Sequence, residues 1–134
     1  MADICEHGVA HDFDCDRCNA TVEPPTPRLS SDSDRRKTIP VASGCLDYFP
    51  DALAAVAELS YTGNQKHNPG QPLHWARAKS SDHADCIARH LLERGMIDTD
   101  HVRHSTKIAW RALALLQEEI EAANGLPPSR GSKK

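Results

Sequence analysis

Apolar positions recur with a period near 3.6 over three stretches of the chain, which predicts three helices joined by polar connections. The first covers residues 50–61. Pro50 suits a first helical turn, where its missing N–H costs nothing, and Gly63 supplies an exit. Ala52, Ala54, Ala55 and Ala57 on this helix would let a neighbouring backbone approach closely. The second covers residues 82–94, with Ser81 as N-cap and Gly95 as terminator. The third covers residues 100–123 and is roughly 36 Å long at 1.5 Å per residue. Residues 95–99 allow only a short return, so the second and third helices are expected to pack as an antiparallel hairpin.

Projection at about 100° per residue assigns faces to these helices. On the second, Ala84, Ile87, Ala88 and Leu91 share the side expected to be buried. Asp82, His83, Asp85, Cys86, Arg89 and His90 form the opposite arc, expected to be exposed. On the third, Ile108, Ala109, Ala112, Leu115, Leu116 and Ile120 form the expected core stripe, with His104, Lys107 and Arg111 opposite. Trp110 falls off the centre of that stripe, so its indole needs a second packing partner, a subunit interface or a flat ligand. Residues 62–80 make a connection longer than a compact domain uses without purpose. From it Asn64, Lys66, His67, Asn68, His74, Trp75 and Arg77 would hang over the helices.

The flanks differ in composition. Residues 1–20 form a Cys/His-rich unit. Residues 21–38 combine Pro, Ser and mixed charge without a hydrophobic period and are expected to be a flexible linker. Residues 39–125 hold the helical domain, and residues 126–134 are expected to be a disordered tail beyond the helix stop at Gly125 and Pro127. The fold class expected is therefore all-α: a small antiparallel helical domain with three main helices and an N-terminal zinc-knuckle-like unit.

A chain of 134 residues with 39% apolar and only 4% aromatic content must build its core from Leu, Ile, Val and Ala. Such cores are marginal, which favours homo-oligomer formation or metal support. A formal charge of −3 argues against strong non-specific nucleic-acid binding. No run approaches the roughly 18 apolar residues of a membrane span, and the start lacks a signal-peptide pattern. The five cysteines fit reduced thiols or metal ligation in a cytoplasm better than a disulfide framework.

Three groups of residues carry chemistry. Cys5-x-His7 and Cys15-x-x-Cys18 supply the thiolates and imidazole of a tetrahedral structural zinc site, with His11 as a competing fourth ligand. The plainer alternative is a leader with free thiols. Asp82 and Asp85, three residues apart, could hold Mg²⁺ or Mn²⁺ with phosphate oxygens. They equally suit a first turn, where carboxylates offset the helix dipole and Asp85 can pair with Arg89. His83 and His90, two turns apart, bring no structural advantage to a solvated face and raise the case for function. His104, Lys107 and Arg111, with Lys66, Arg77 and Arg89, would neutralise a triphosphate if they converged; singly each is an ordinary solvated base.

Residues 51–121 resemble the dATP/dGTP diphosphohydrolase N-terminal domain family. The likeness rests on GNQKHNPGQPLHWARAKSSDHADCIARHL and, after an acidic turn, RHSTKIAWRALALLQ. Gly63, Lys66, His67, Trp75, Arg77, Asp82, His83, Asp85, Arg89, His90, His104 and Trp110 occupy the positions that carry it. The resemblance implies an all-helical module of a phage nucleotide-metabolism set, hence the host cytoplasm, and cleavage of a purine deoxynucleoside triphosphate to monophosphate and pyrophosphate. In one respect the chain departs from related all-α pyrophosphohydrolases of the MazG type, which hold Mg²⁺ with Glu-x-x-Glu and a later Glu-x-x-Asp. Here that spacing is met by Glu118 and Glu121 alone, without a downstream partner.

Two functions follow as expectations. In the first, Asp82, Asp85 and His83 orient water at a metal, Lys66, Arg77 and Arg89 offset phosphate charge, His90 or His104 transfers a proton, and Trp75 carries the purine. His67, Lys107 and Arg111 complete the substrate-binding set. In the second, the helices only bind a nucleotide or a partner protein, and the zinc unit docks to another protein or nucleic acid.

Overall fold

The structure, a computed structural model, describes residues 27–134. The Cys5, His7, Cys15 and Cys18 unit therefore lies outside the described residues.

Within the span expected to be linker, Ser33–Lys37 forms a short helix, α1, because the Asp32 carboxylate caps it by accepting the Asp34 N–H at 3.1 Å. A π-helical turn, Ala42–Leu46, leads to α2, Pro50–His67, with Pro50 in its first turn as expected. The helix runs past the predicted exit. Gly63 costs about 1 kcal/mol relative to Ala inside a helix, but the inward face Leu53, Val56, Ser60 and Asn64 continues the helical spacing through it. Buried Asn64 donates to the Gln71 carbonyl at 3.1 Å and accepts from the Asn68 amide at 3.2 Å, which fixes the last turn and folds the following loop back.

That loop carries a two-residue strand, β1 (Trp75–Ala76), and a 3₁₀ turn, Arg77–Lys79. Then come α3, His83–Leu92, with Asp82 rather than Ser81 at the N-cap, and α4, His104–Asn124. These last two helices pack as the antiparallel hairpin expected from the sequence, since His83 meets Glu118 while His90 meets His104. The turn between them is longer than expected. α3 ends earlier than expected, capped at Glu93; Gly95 turns the chain two residues on at φ 85°, and the return closes through an antiparallel bridge between Ile97 and Arg103.

Residues 126–134 differ from the expected disorder. Ser132–Lys133 forms β2, paired in parallel with β1 so that Trp75 faces Ser132. Arg77 explains the order. Its guanidinium forms two parallel hydrogen bonds with Glu121 at 2.6 and 3.0 Å, and also donates to Ser132 Oγ at 2.8 Å and Ser129 Oγ at 3.1 Å. Glu121 further accepts from Gln117 and from the Ser129 N–H. Proline and serine give this segment no periodic signal, so a side chain far away in sequence decides its conformation.

The largest departure concerns the faces of α3 and α4. His83 and Cys86 are buried and His90 is half-buried, whereas Ala84, Ala88 and Leu91 are exposed. On α4 the buried residues are His104, Ala114 and Glu121, while Ala112, Leu116 and Ile120 of the expected core stripe face outward. Periodicity locates two faces but assigns burial by polarity. Here the polar faces meet each other, because imidazole, guanidinium and carboxylate groups satisfy one another across the seam. Among the described residues the buried apolar side chains are only Cys86 and Ala114. No described helix is long and apolar enough to cross a membrane.

Candidate functional site

The polar seam between α3 and α4 has two chemically distinct parts. At the N-terminal end of α3, Arg111 of α4 reaches across and donates to Ser80 Oγ, and its Nη1 lies 3.2 Å from His83 Nδ1. The Ser80 hydroxyl donates to Asp82 Oδ1 at 2.9 Å, and Arg89 donates to Asp82 Oδ2 at 3.2 Å. These two contacts, Ser80 first, hold the Asp82 carboxyl down at about 2. Arg89 thus pairs with Asp82 two turns away instead of Asp85 one turn away, and it also donates to Cys86 Sγ at 3.1 Å. Asp85 is exposed in the first turn. His83 Nε2 is buried without a hydrogen bond, 3.5 Å from a carboxylate oxygen of Glu118.

Trp75 closes this end. Its ring packs edge-on to Trp110 at 5.8 Å between centroids and carries the Arg77 guanidinium 4.2 Å from its own centroid. Trp110 donates its indole N–H to Ser60 of α2 at 2.9 Å, so its second packing partners are Trp75 and α2.

At the other end of the seam, the last turn of α3 meets the first turn of α4. His90 and His104 share a hydrogen bond between their Nδ1 atoms at 2.8 Å. Nε2 of His104 lies 3.5 Å from Glu93 Oε2 and 4.0 Å from Asp98 Oδ1. The helix-connecting turn delivers Asp98 here: its N–H donates to the Val102 carbonyl, and its side chain accepts the Thr99 N–H. Among the described residues, His90, Asp98 and His104 are the group whose ligand atoms converge, all within 4.8 Å of one another.

Electrostatics suit that set to a cation. Burial, then the neighbouring charges of His104 and Lys107, pushes the His90 imidazolium down and favours the neutral ligand form. A hydrogen bond from Lys107 holds the Asp98 carboxyl well below its usual range, so it is ionised. Lys107 sits between Asp98 and Asp100 at 2.7 Å from each. Burial opposes its charge, but those two carboxylates outweigh it and raise the ammonium above its ordinary value.

The structure therefore gathers Asp82, His83, Arg89 and Arg111 at one end and His90, His104 and Lys107 at the other. Arg77 is committed to Glu121 and the C-terminal segment. Lys66 and His67 are exposed on the last turn of α2, tied to this region through the Lys79 ammonium, which donates to the His67 carbonyl at 3.2 Å. Sequence reasoning missed Asp98, Glu93 and Ser80, and it named Glu118 only for its spacing from Glu121. The end of one helix and the start of the next adjoin in any short hairpin, so an acidic residue in that turn, flanked by His90 and His104, was the available signal.

The model of a protein family described as dATP/dGTP diphosphohydrolase, N-terminal, matches residues 30–125, well over half of the chain. The chain belongs to this family. The match spans α1 through α4 and ends at the residue that caps α4, so the whole polar seam lies inside the family domain. No curated protein and no solved structure matches the chain significantly.

Proposed function

We propose that this chain binds a purine deoxynucleoside triphosphate and hydrolyses it to monophosphate and pyrophosphate, with a divalent metal held by His90, Asp98 and His104. The observation that carries this reading is the convergence of two imidazoles and an ionised carboxylate in a family domain of dATP/dGTP diphosphohydrolase type. The ligand set fits: nitrogen and oxygen donors suit Zn²⁺ or Mn²⁺ better than Mg²⁺, which prefers oxygen alone. Asp82 and Asp85 are the weaker choice for the ion, because among the described residues no three ligand-type side chains converge around them.

Such an ion supplies Lewis-acid charge against phosphate oxygens. The chain's own residues do the rest. Lys107 keeps Asp98 ionised and oriented, and Glu93 stands beside His104 to accept a proton. Cys5, His7, Cys15 and Cys18 are proposed as a separate structural zinc site. A cytoplasmic setting, where deoxynucleotides are used, belongs to the same reading.

A second reading, a nucleotide- or protein-binding module without turnover, is favoured by one observation. Glu121, half of the Glu118-x-x-Glu121 pair, is consumed by Arg77, so it is not offered to a metal. Incubating the full chain with each of the four deoxynucleoside triphosphates and Mg²⁺, Mn²⁺ or Zn²⁺, and measuring pyrophosphate, separates the two. Purine-selective release that His90→Ala abolishes is the expected result. Binding without pyrophosphate supports the module, and neither binding nor release rejects both.

A further inference from the structure

The outward faces of α3 and α4 form one apolar surface. The helices meet through His83, His90, His104 and Arg111, and in an antiparallel pair with that contact Ala84, Ala88 and Leu91 flank the same side as Ala112 and Leu116. Trp110, through which α4 reaches Ser60 of α2, projects from the far side of α4, so α2 does not cover this surface. Exposure on it is high for core-type residues: Leu91 is 49% and Leu116 51% exposed. Along the exposed positions of α4 the polar interruptions are Ser105, Glu119 and Asn124. With Ala84, Ala88 and Ala112 this face is a contiguous apolar patch on the order of a few hundred Å², the size that marks an interaction surface.

We infer that this face is the interface with a second copy of the same chain. Three observations select that occupant. The seam inside one chain is polar, and with Cys86 and Ala114 as its buried apolar residues the described domain lacks the core that its composition could supply. Residues 1–26 offer little to cover the face, since their larger apolar residues, Ile4, Val9, Phe13 and Val22, are isolated among Asp, Cys, His and Pro. The face is also self-complementary. An antiparallel two-fold axis through Ala112 sets Leu116 against Ile108 of the second copy and Glu119 against its Ser105, so apolar meets apolar and no like charges oppose. The alanines at 84, 88, 109 and 112 leave room for the leucines of the other copy. The dimer so formed is a four-helix layer whose shared core is aliphatic and whose polar seams point outward to the two sites.

The test is the mass of the full chain by sedimentation equilibrium, together with the dependence of its unfolding midpoint on concentration. Twice the 14.7 kDa of one chain, with a midpoint that rises with concentration, is expected. Leu116→Glu should weaken the dimer by about 30-fold or more, while Leu73→Glu, on an exposed loop residue elsewhere, should leave the mass unchanged. A folded monomer with a concentration-independent midpoint overturns the proposal and hands the face to residues 1–26 or to a different protein. So does a Leu116→Glu variant that stays dimeric, or a dimer that Leu73→Glu disrupts equally. If Leu116→Glu does not fold, the wild-type mass and midpoint decide.

Discussion

The two ends of α4 each bury a polar group, Glu121 near one terminus and His104 at the other, to nearly the same depth. Their surroundings are opposite. Glu121 has every oxygen occupied, by both arms of Arg77, by Gln117 and by the Ser129 N–H. His104 has one good partner, His90 at 2.8 Å, while the carboxylates of Glu93 and Asp98 wait at 3.5 and 4.0 Å. A buried group with all its partners made is a structural fastening. One whose charged neighbours stand just beyond hydrogen-bonding reach has capacity left for a ligand.

The sharpest way to break this comparison is at the fastening. Arg77→Ala takes from Glu121 its bidentate partner, leaving Gln117, the Ser129 N–H and Arg28 at 3.7 Å, and should cost about 1–3 kcal/mol of stability, read by denaturant unfolding. Hydrogen exchange should show Ser132–Lys133 released from Trp75–Ala76, and metal affinity should change little. Loss of metal binding with stability kept would reverse the roles assigned to the two ends.

At the histidine end the pattern should invert. His104→Ala should weaken Zn²⁺ or Mn²⁺ binding by at least about 100-fold, beyond the range typical of outer-shell changes, when titrated calorimetrically. Its unfolding midpoint should move less than that of Arg77→Ala. A variant that binds metal like the wild type would remove His104 from the ligand set.

A smaller effect comes from acid. Arg77 holds the folded Glu121 carboxyl at about 2, below the value near 4.3 of an unfolded glutamate. The folded pKa is the lower one, so this contribution is complete above about pH 4.3 and is lost as pH falls toward 2. Unfolding midpoints measured across that window should decline in the wild type, and Arg77→Ala should show a shallower decline. Equal slopes would mean that the fastening does not set the acid limb.

Much of the fold was legible because helix signals are local. Pro50 and Gly125 mark boundaries, and Gly95 signals the turn that returns the chain antiparallel. The resemblance to the family was also local, carried by blocks such as the one from Gly63 to Leu91. Burial was not. The apolar arc of α3 and the polar arc opposite it are equally periodic, and which turns inward depends on whether α4 offers imidazole, guanidinium and carboxylate partners in register. His83, Arg111 and Glu118 could be listed from the sequence but not matched. Asp98 went unnoticed because its role depends on the turn that carries it back toward His90.

The sequence by itself determined the helices, their order, the hairpin and the family, since these follow from dihedral preference, spacing and motif within a few turns of chain. Tertiary structure alone decided which face of each helix meets its neighbour, that Arg77 serves the C-terminal segment, and that the ligand atoms of His90, Asp98 and His104 lie together. Those outcomes depend on charges and hydrogen bonds between residues distant along the chain, and no local pattern encodes such pairings.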